Sequence, residues 1–257
     1  MTPQKQWTAF YTMLRNDFVR IVRIWSQTLL PPVVTTTLYF VVFGTFIGSQ
    51  LKPIHGLTYI QFIVPGLIMM SVITSSYMNT VSTFYFAKWT KTLDEILVSP
   101  MPEWLVIVGF VSGGVMRGLM VGVLVGVVGL FFTHLAIQNI AVLILTLVLT
   151  STLFSLGGLI NGAFAKGFDG MSIVPTFVLT PLTYLGGIFY SIQQFPPFWQ
   201  TVSLFNPILY MINAFRWAFF GVSDINIGIC LSVLIGFVVL FLLVLLWLFR
   251  RGIGVRL

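Results

Sequence analysis

Apolar residues run along this chain in long blocks, and short polar islands separate them. A membrane crossing needs about 20 apolar residues in helical form, and the blocks meeting that length fall at roughly 28–47, 59–81, 112–132, 139–163, 172–190 and 227–249. The chain ahead of them follows another rhythm. Trp7, Phe10, Tyr11, Leu14, Phe18, Ile21, Val22 and Trp25 recur at helical spacing, with Lys5, Arg15, Arg20 and Arg23 on the opposite side. An apolar stripe roughly 120° wide backed by basic residues predicts an amphipathic helix lying in the cytoplasmic headgroup plane.

Several blocks carry marks of their own. Pro31 and Pro32 sit near the start of the first span, where a missing N–H costs least. Pro65 and Gly66 predict a kink or hinge in the second, and Pro175 and Pro181 interrupt the fifth. Gly109, Gly113, Gly114, Gly118, Gly122, Gly126 and Gly129 follow one another at three- and four-residue spacing around the third, which predicts close helix packing. The stretch 191–224 is too polar at its start for a span and too apolar for an ordinary loop. Its Pro196-Pro197, Asn206-Pro207 and Gly221 signals predict one or two short re-entrant helices before the last span.

The most charged island is 88–104, KWTKTLDEILVSPMPEW. Thr92 and Glu95 have capping-box spacing, Asp94 and Glu95 place negative charge at a helix start, and Pro100 and Pro102 stop the helix. That leaves about two turns with Leu93, Ile96 and Leu97 on one face. Alone, the segment reads as a solvated connector. Between two long apolar runs it reads as a socket for a partner, with Leu93, Ile96 and Leu97 seated in the partner's groove and Asp94 and Glu95 meeting its basic groups.

Composition fixes the class: 58% hydrophobic, 7% charged residues and a mean hydropathy of +1.02 describe an all-α integral membrane protein, not a water-soluble domain. Six spans and their loops use nearly all of the 257 residues, so one transmembrane domain over 1–257 is expected. The net charge of +7 lies beside the spans, which points to orientation in the lipid bilayer and not to nucleic acid. Lys5, Arg15, Arg20, Arg23, Lys88, Lys91, Lys166, Arg250, Arg251 and Arg256 fall on one predicted side, against Lys52 and Arg216 on the other. Both termini are therefore expected in the cytoplasm. The charges among the first 25 residues argue against a cleavable signal peptide, and the single Cys230 offers no intrachain disulfide.

Three function classes compete. A membrane enzyme needs a nucleophile and base or a metal cluster, and His55, His134 and Cys230 are poor material. The hydroxyl and amide groups within spans, Ser71, Ser75, Ser76, Asn79, Thr80 and Asn161, read as helix-packing hydrogen bonders. An ion-coupled carrier normally keeps an ionisable group inside the membrane, whereas Asp17, Asp94, Glu95, Glu103, Asp169 and Asp224 fall in loops or span ends. Sodium sites built from backbone carbonyls keep that class open. Arg117 is the one charge well inside a predicted span, where mid-bilayer placement costs about 2.5–3.5 kcal/mol. Snorkelling to the cytoplasmic interface is the preferred reading of it over a place on a substrate pathway.

The residues resemble a family: the membrane subunits of ABC-2 type ATP-binding cassette exporters, most closely the YadH-type bacterial permeases. QTLLPPVVTTTLYFVVFG from Gln27, YIQFIVPGLIMMSV from Tyr59, LDEILVSPMP from Leu93 and PTFVLTPLTYLGGIFYS from Pro175 carry the resemblance. So do PPFWQ from Pro196, FNPILYM from Phe205 and FRWAFFG from Phe215, in the right order over nearly the whole chain. The resemblance implies an interfacial N-terminal helix, six transmembrane helices, a cytoplasmic coupling helix at 93–102 and re-entrant helices at 195–221. It also implies a homodimer working with two copies of a separate ATPase in a bacterial inner membrane. ATP and Mg would be bound by that ATPase, with no cofactor in this chain, and the cargo would be an amphiphile such as a lipid-linked glycan, lipid or drug. The residues agree on energy supply, since no G-x-x-x-x-G-K-[ST] phosphate loop occurs among them.

Overall fold

The computed structural model describes residues 1–50, 53–54 and 56–254. Lys52, His55 and Arg256, which figured in the sequence reading, lie outside the described residues. Every named element among the described residues is helical. The amphipathic start forms α1 (Pro3–Arg23), which turns through the short α2 (Trp25–Thr28) into α3 (Leu30–Tyr39). The first span then continues in widened π turns over Phe40–Ile47. Further on come α4 (Tyr59–Trp89), α5 (Thr92–Val98), α6 (Glu103–Phe132) and α7 (Ile140–Phe164).

Five helices among the described residues are long and apolar enough to cross a membrane: Trp25–Gly44, α4, α6, α7 and α12 (Ile227–Arg251). The sixth expected span is not among them. In its place lies a composite helix from α8 (Phe168–Val174), through π turns over Pro175–Leu179, to α9 (Thr180–Leu185). Pro175 and Pro181 have no N–H to give the ladder, and the Thr180 hydroxyl takes up the Pro175 carbonyl at 2.9 Å. The apolar stretch after it yields α10 (Pro197–Leu204) and α11 (Pro207–Phe220). α11 is buried among other helices, so the short-helix reading of this region holds.

The core is built around α4, which is buried along most of its length and packs on α6, α7 and α11. Glycine makes this possible. A Cβ at Gly114 of α6 would overlap the Thr80 and Ser155 hydroxyls and stand 2.9 Å from the Ser76 carbonyl. One at Gly118 would overlap the Ser76 hydroxyl and reach Ser151 at 2.8 Å. With no hydrophobic drive between helices in lipid, such close approach is what holds them together. Ser76, Thr80, Ser151 and Ser155 thus serve the packing of three helices.

One end of the bundle is tied by charge. The buried Lys88 ammonium donates to the Ala163 carbonyl at the end of α7, 2.8 Å, and to the Gly254 carbonyl after α12, 2.9 Å. At the same end Glu103 opens α6 and meets Arg250 at 3.8 Å. Two basic residues of the sequence reading, Lys88 and Arg250, lie at this end. Arg216, grouped with the opposite loops by that reading, is instead almost fully buried within α11.

Candidate functional site

The first place, the charged island, joins α4 to α6. α4 ends at Trp89, and Lys91 takes a left-handed conformation, φ 60°, that turns the chain sharply into α5. Thr92 is the first helical residue, not the cap. Its hydroxyl pairs with that of Thr90 at 3.0 Å, so the expected capping box with Glu95 does not form. Asp94 and Glu95 still lie in the first turn, where the helix dipole favours negative charge. The helix stops at Ser99, whose hydroxyl donates to the Ile96 carbonyl, just ahead of Pro100.

The face of α5 turned to the outside is not the expected one. Leu93 is completely buried in this chain's own core beside Phe84, Val106 and Phe110, and Ile96 and Leu97 pack against the same cluster. α4 and α6 both extend past the membrane portion that hydropathy marks, and their ends provide an apolar seat. For Leu93 the expectation that it enters a partner is corrected, since it anchors α5 to the bundle; Ile96 and Leu97 pack against the cluster with part of each side chain left exposed. Asp94, Glu95 and Val98, the last 88% exposed, form the outward face.

The second place is Arg117. α6 begins at Glu103 and not near 112, so Arg117 lies well along the helix, one turn beyond the level at which α1 packs. There the Asp17 carboxylate of α1 covers Gly113 and pairs with Arg20 at 3.0 Å, while Arg20 reaches Asn79 of α4 at 3.1 Å. Burial pushes the Asp17 carboxyl above the usual carboxylate range, and Arg20 partly offsets the rise. Arg117 itself donates from Nη2 to the Thr28 carbonyl at 3.0 Å, and its Nε finds no partner among the described residues. It borders a groove of about 360 Å³ between α3 and α4, lined also by Gln27, Thr35, Thr36, Ser71 and Thr74. Thr36 and Ser71 hydrogen-bond across the groove at 2.7 Å.

The third place is the opposite end of α4. Pro65 lies inside α4 without breaking it, and a Cβ at Gly66 would stand 3.0 Å from the Ile188 Cα. Gly66 is thus a point of close approach by the chain that follows α9. Arg216, missed by the sequence reading as a buried group, closes this junction. Its Nη2 donates to the Gly187 carbonyl at 2.8 Å, its Nε to the Phe62 carbonyl at 3.3 Å, and its guanidinium lies 3.7 Å from the Phe62 ring centre. Asp224 supplies the nearby negative charge. The signal was the arginine in an otherwise apolar FRWAFF run, a cation that must be buried with partners if the run is helical. Pro196 caps α10 and Pro197 opens it, both exposed.

Five helices long and apolar enough to span a membrane, short helices before the last of them, a short helix anchored between two of them and a buried junction at the far end of α4 fit a membrane transport subunit. The family model for ABC-2 type transporters matches residues 8–220, and the chain belongs to that family. It is 52% identical over 250 residues to the inner membrane transport permease YadH of Escherichia coli strain K12, covering 97% of this chain and 98% of the relative. It is also 22% identical over 248 residues to nodulation protein J of Rhizobium leguminosarum bv. viciae, with 95% and 94% covered. The same-named protein of Rhizobium meliloti strain 1021 is 21% identical over 229 residues, with 89% and 86% covered. The chain is a membrane-embedded transport permease, and membership of its family implies a partnering ATPase subunit in general terms.

Proposed function

We propose that this chain is the membrane-spanning permease of an ATP-driven exporter in a bacterial inner membrane, moving an amphiphile out of the cytoplasm. ATP and Mg are bound by a separate ATPase, whose head docks on the outward face of α5. The observation that carries this reading is the build of α5: rooted by Leu93 in the core between α4 and α6, it presents Asp94, Glu95 and Val98 outward. A head pressing on it moves α4 and α6, since a rooted helix passes on a displacement that a loop would absorb.

The composite helix over 168–185 acts as the further span, bringing the count to six and both termini to the cytoplasm. Its first residue supports that placement: Phe168 packs its ring 5.3 Å from Tyr85, 5.6 Å from Phe86 and 5.9 Å from Trp89, at the end of α4 that leads to α5. The second connection at this end, 165–167, is too short to seat a head of its own. One docking helix per chain suits a homodimer serving two ATPase copies, in the closed two-fold symmetry that identical subunits most often adopt.

The test is co-expression with candidate ATPases. Capture of one of them in stoichiometric amount, with ATP-dependent efflux from reconstituted vesicles, is the expected result. Flux driven by a proton or sodium gradient in the absence of any ATPase contradicts the proposal.

A further inference from the structure

Arg117 has one hydrogen bond for its five N–H donors, and among the described residues no carboxylate stands within ion-pair distance of it. The closest candidate on the neighbouring α1, Asp17, is already committed to Arg20. Arg20 adds positive potential at Arg117 instead of relieving it. A cation so placed in apolar surroundings calls for an anion from outside the chain.

The groove beside it has the size and lining to supply one. Its volume of about 360 Å³ falls in the ordinary range for small-ligand sites, roughly 300–1,000 Å³. Arg117 and Gln27 mark the end nearer α1, and Tyr39 and Met70 mark the other end. Between them run hydroxyls, among which Ser75 is buried with its Oγ unpartnered. A guanidinium at one end of a groove whose other end is lined by Met70 and the Tyr39 ring matches a molecule with an anionic head and a hydrocarbon tail.

We infer that the groove between α3 and α4 binds an anionic amphiphile from the inner leaflet, with Arg117 holding its phosphate or carboxylate head. A bilayer phospholipid and a phosphorylated cargo share this chemistry. The inference rests on the exporter reading only for the fate of the molecule. Binding itself needs no ATPase, so a failure of export and a failure of binding are separate results.

The experiment is native mass spectrometry of the full chain released from neutral detergent, loaded with phosphatidylglycerol, phosphatidylcholine or inorganic phosphate. Retention of one phosphatidylglycerol per chain is expected, with phosphatidylcholine held at least about ten-fold more weakly, since it offers no net negative charge. Arg117→Gln should lower phosphatidylglycerol retention about ten-fold, and Arg117→Lys less. Thr74 is exposed on the groove wall, so Thr74→Phe should block the tail with Arg117 intact. That variant decides the matter if Arg117→Gln fails to fold. Wild-type retention in Thr74→Phe and in any folded Arg117→Gln overturns the inference. Inorganic phosphate displacing the lipid at equal concentration also overturns it, because a tail would then contribute nothing.

Discussion

Arg216 and Arg117 are both arginines within the membrane-embedded part of the chain, and their surroundings could hardly differ more. Around Arg216 the protein supplies two carbonyls, an aromatic face and a nearby carboxylate, and the side chain is almost wholly buried. Around Arg117 it supplies one carbonyl at the edge of an open groove. A buried cation is tolerated where its charge and donors are answered. The region that answers them internally is a fixed joint among α4, α11 and the chain after α9. The region that does not is poised for something else to complete it.

The largest effect separates the two regions directly. Arg216→Leu should destabilise the protein by about 3–5 kcal/mol, because the Gly187 and Phe62 carbonyls lose their donor and the Asp224 charge its counterpart. Arg117→Leu, losing one hydrogen bond at a groove, should cost about 1 kcal/mol. Thermal unfolding in a single detergent checks both, and equal losses would erase the distinction drawn here.

Next in size is Leu93→Ala, expected to cost about 3 kcal/mol through the cavity left beside Phe84 and Phe110. Asp94→Asn with Glu95→Gln should leave unfolding within about 1 kcal/mol of wild type, both side chains being exposed. The same pair should reduce capture of the ATPase about ten-fold. Stability and capture thus divide between the two faces of one short helix.

The smallest effect concerns pH. The Asp17 carboxyl is raised by burial, so its folded form holds a proton more tightly than the unfolded chain does. The stabilisation this gives is full below about pH 4 and is lost as pH rises through the folded value. Asp17→Asn should flatten that fall in thermal stability, measured between pH 4 and neutrality.

Much of this was legible in the residues. Long apolar blocks located five of the six expected spans, Pro100 marked the end of α5, and the glycine series announced the packing of α6 on α4 and α7. What was not legible depended on contacts far apart in sequence. Hydropathy reports the most apolar part of a helix, so it could not show that α4 and α6 run on beyond it and bury Leu93 between them. The same limit hid the true face of α5. Thr92 and Glu95 had the spacing of a capping box, but the left-handed Lys91 brought the chain in one residue too early for it. Arg216 looked like a loop charge because its partners at Phe62 and Gly187 lie 154 and 29 residues away.

The central claim is that a separate ATPase presses on the outward face of α5 while its inward face stays rooted in the bundle. Disulfide trapping tests it most directly, in a Cys230→Ala background that removes the one native thiol. Single cysteines introduced as Val98→Cys and Leu93→Cys are each paired with cysteines on a co-purified ATPase. Trapping from position 98 and none from position 93 is the expected result. Trapping from position 93 and none from position 98 would contradict the account.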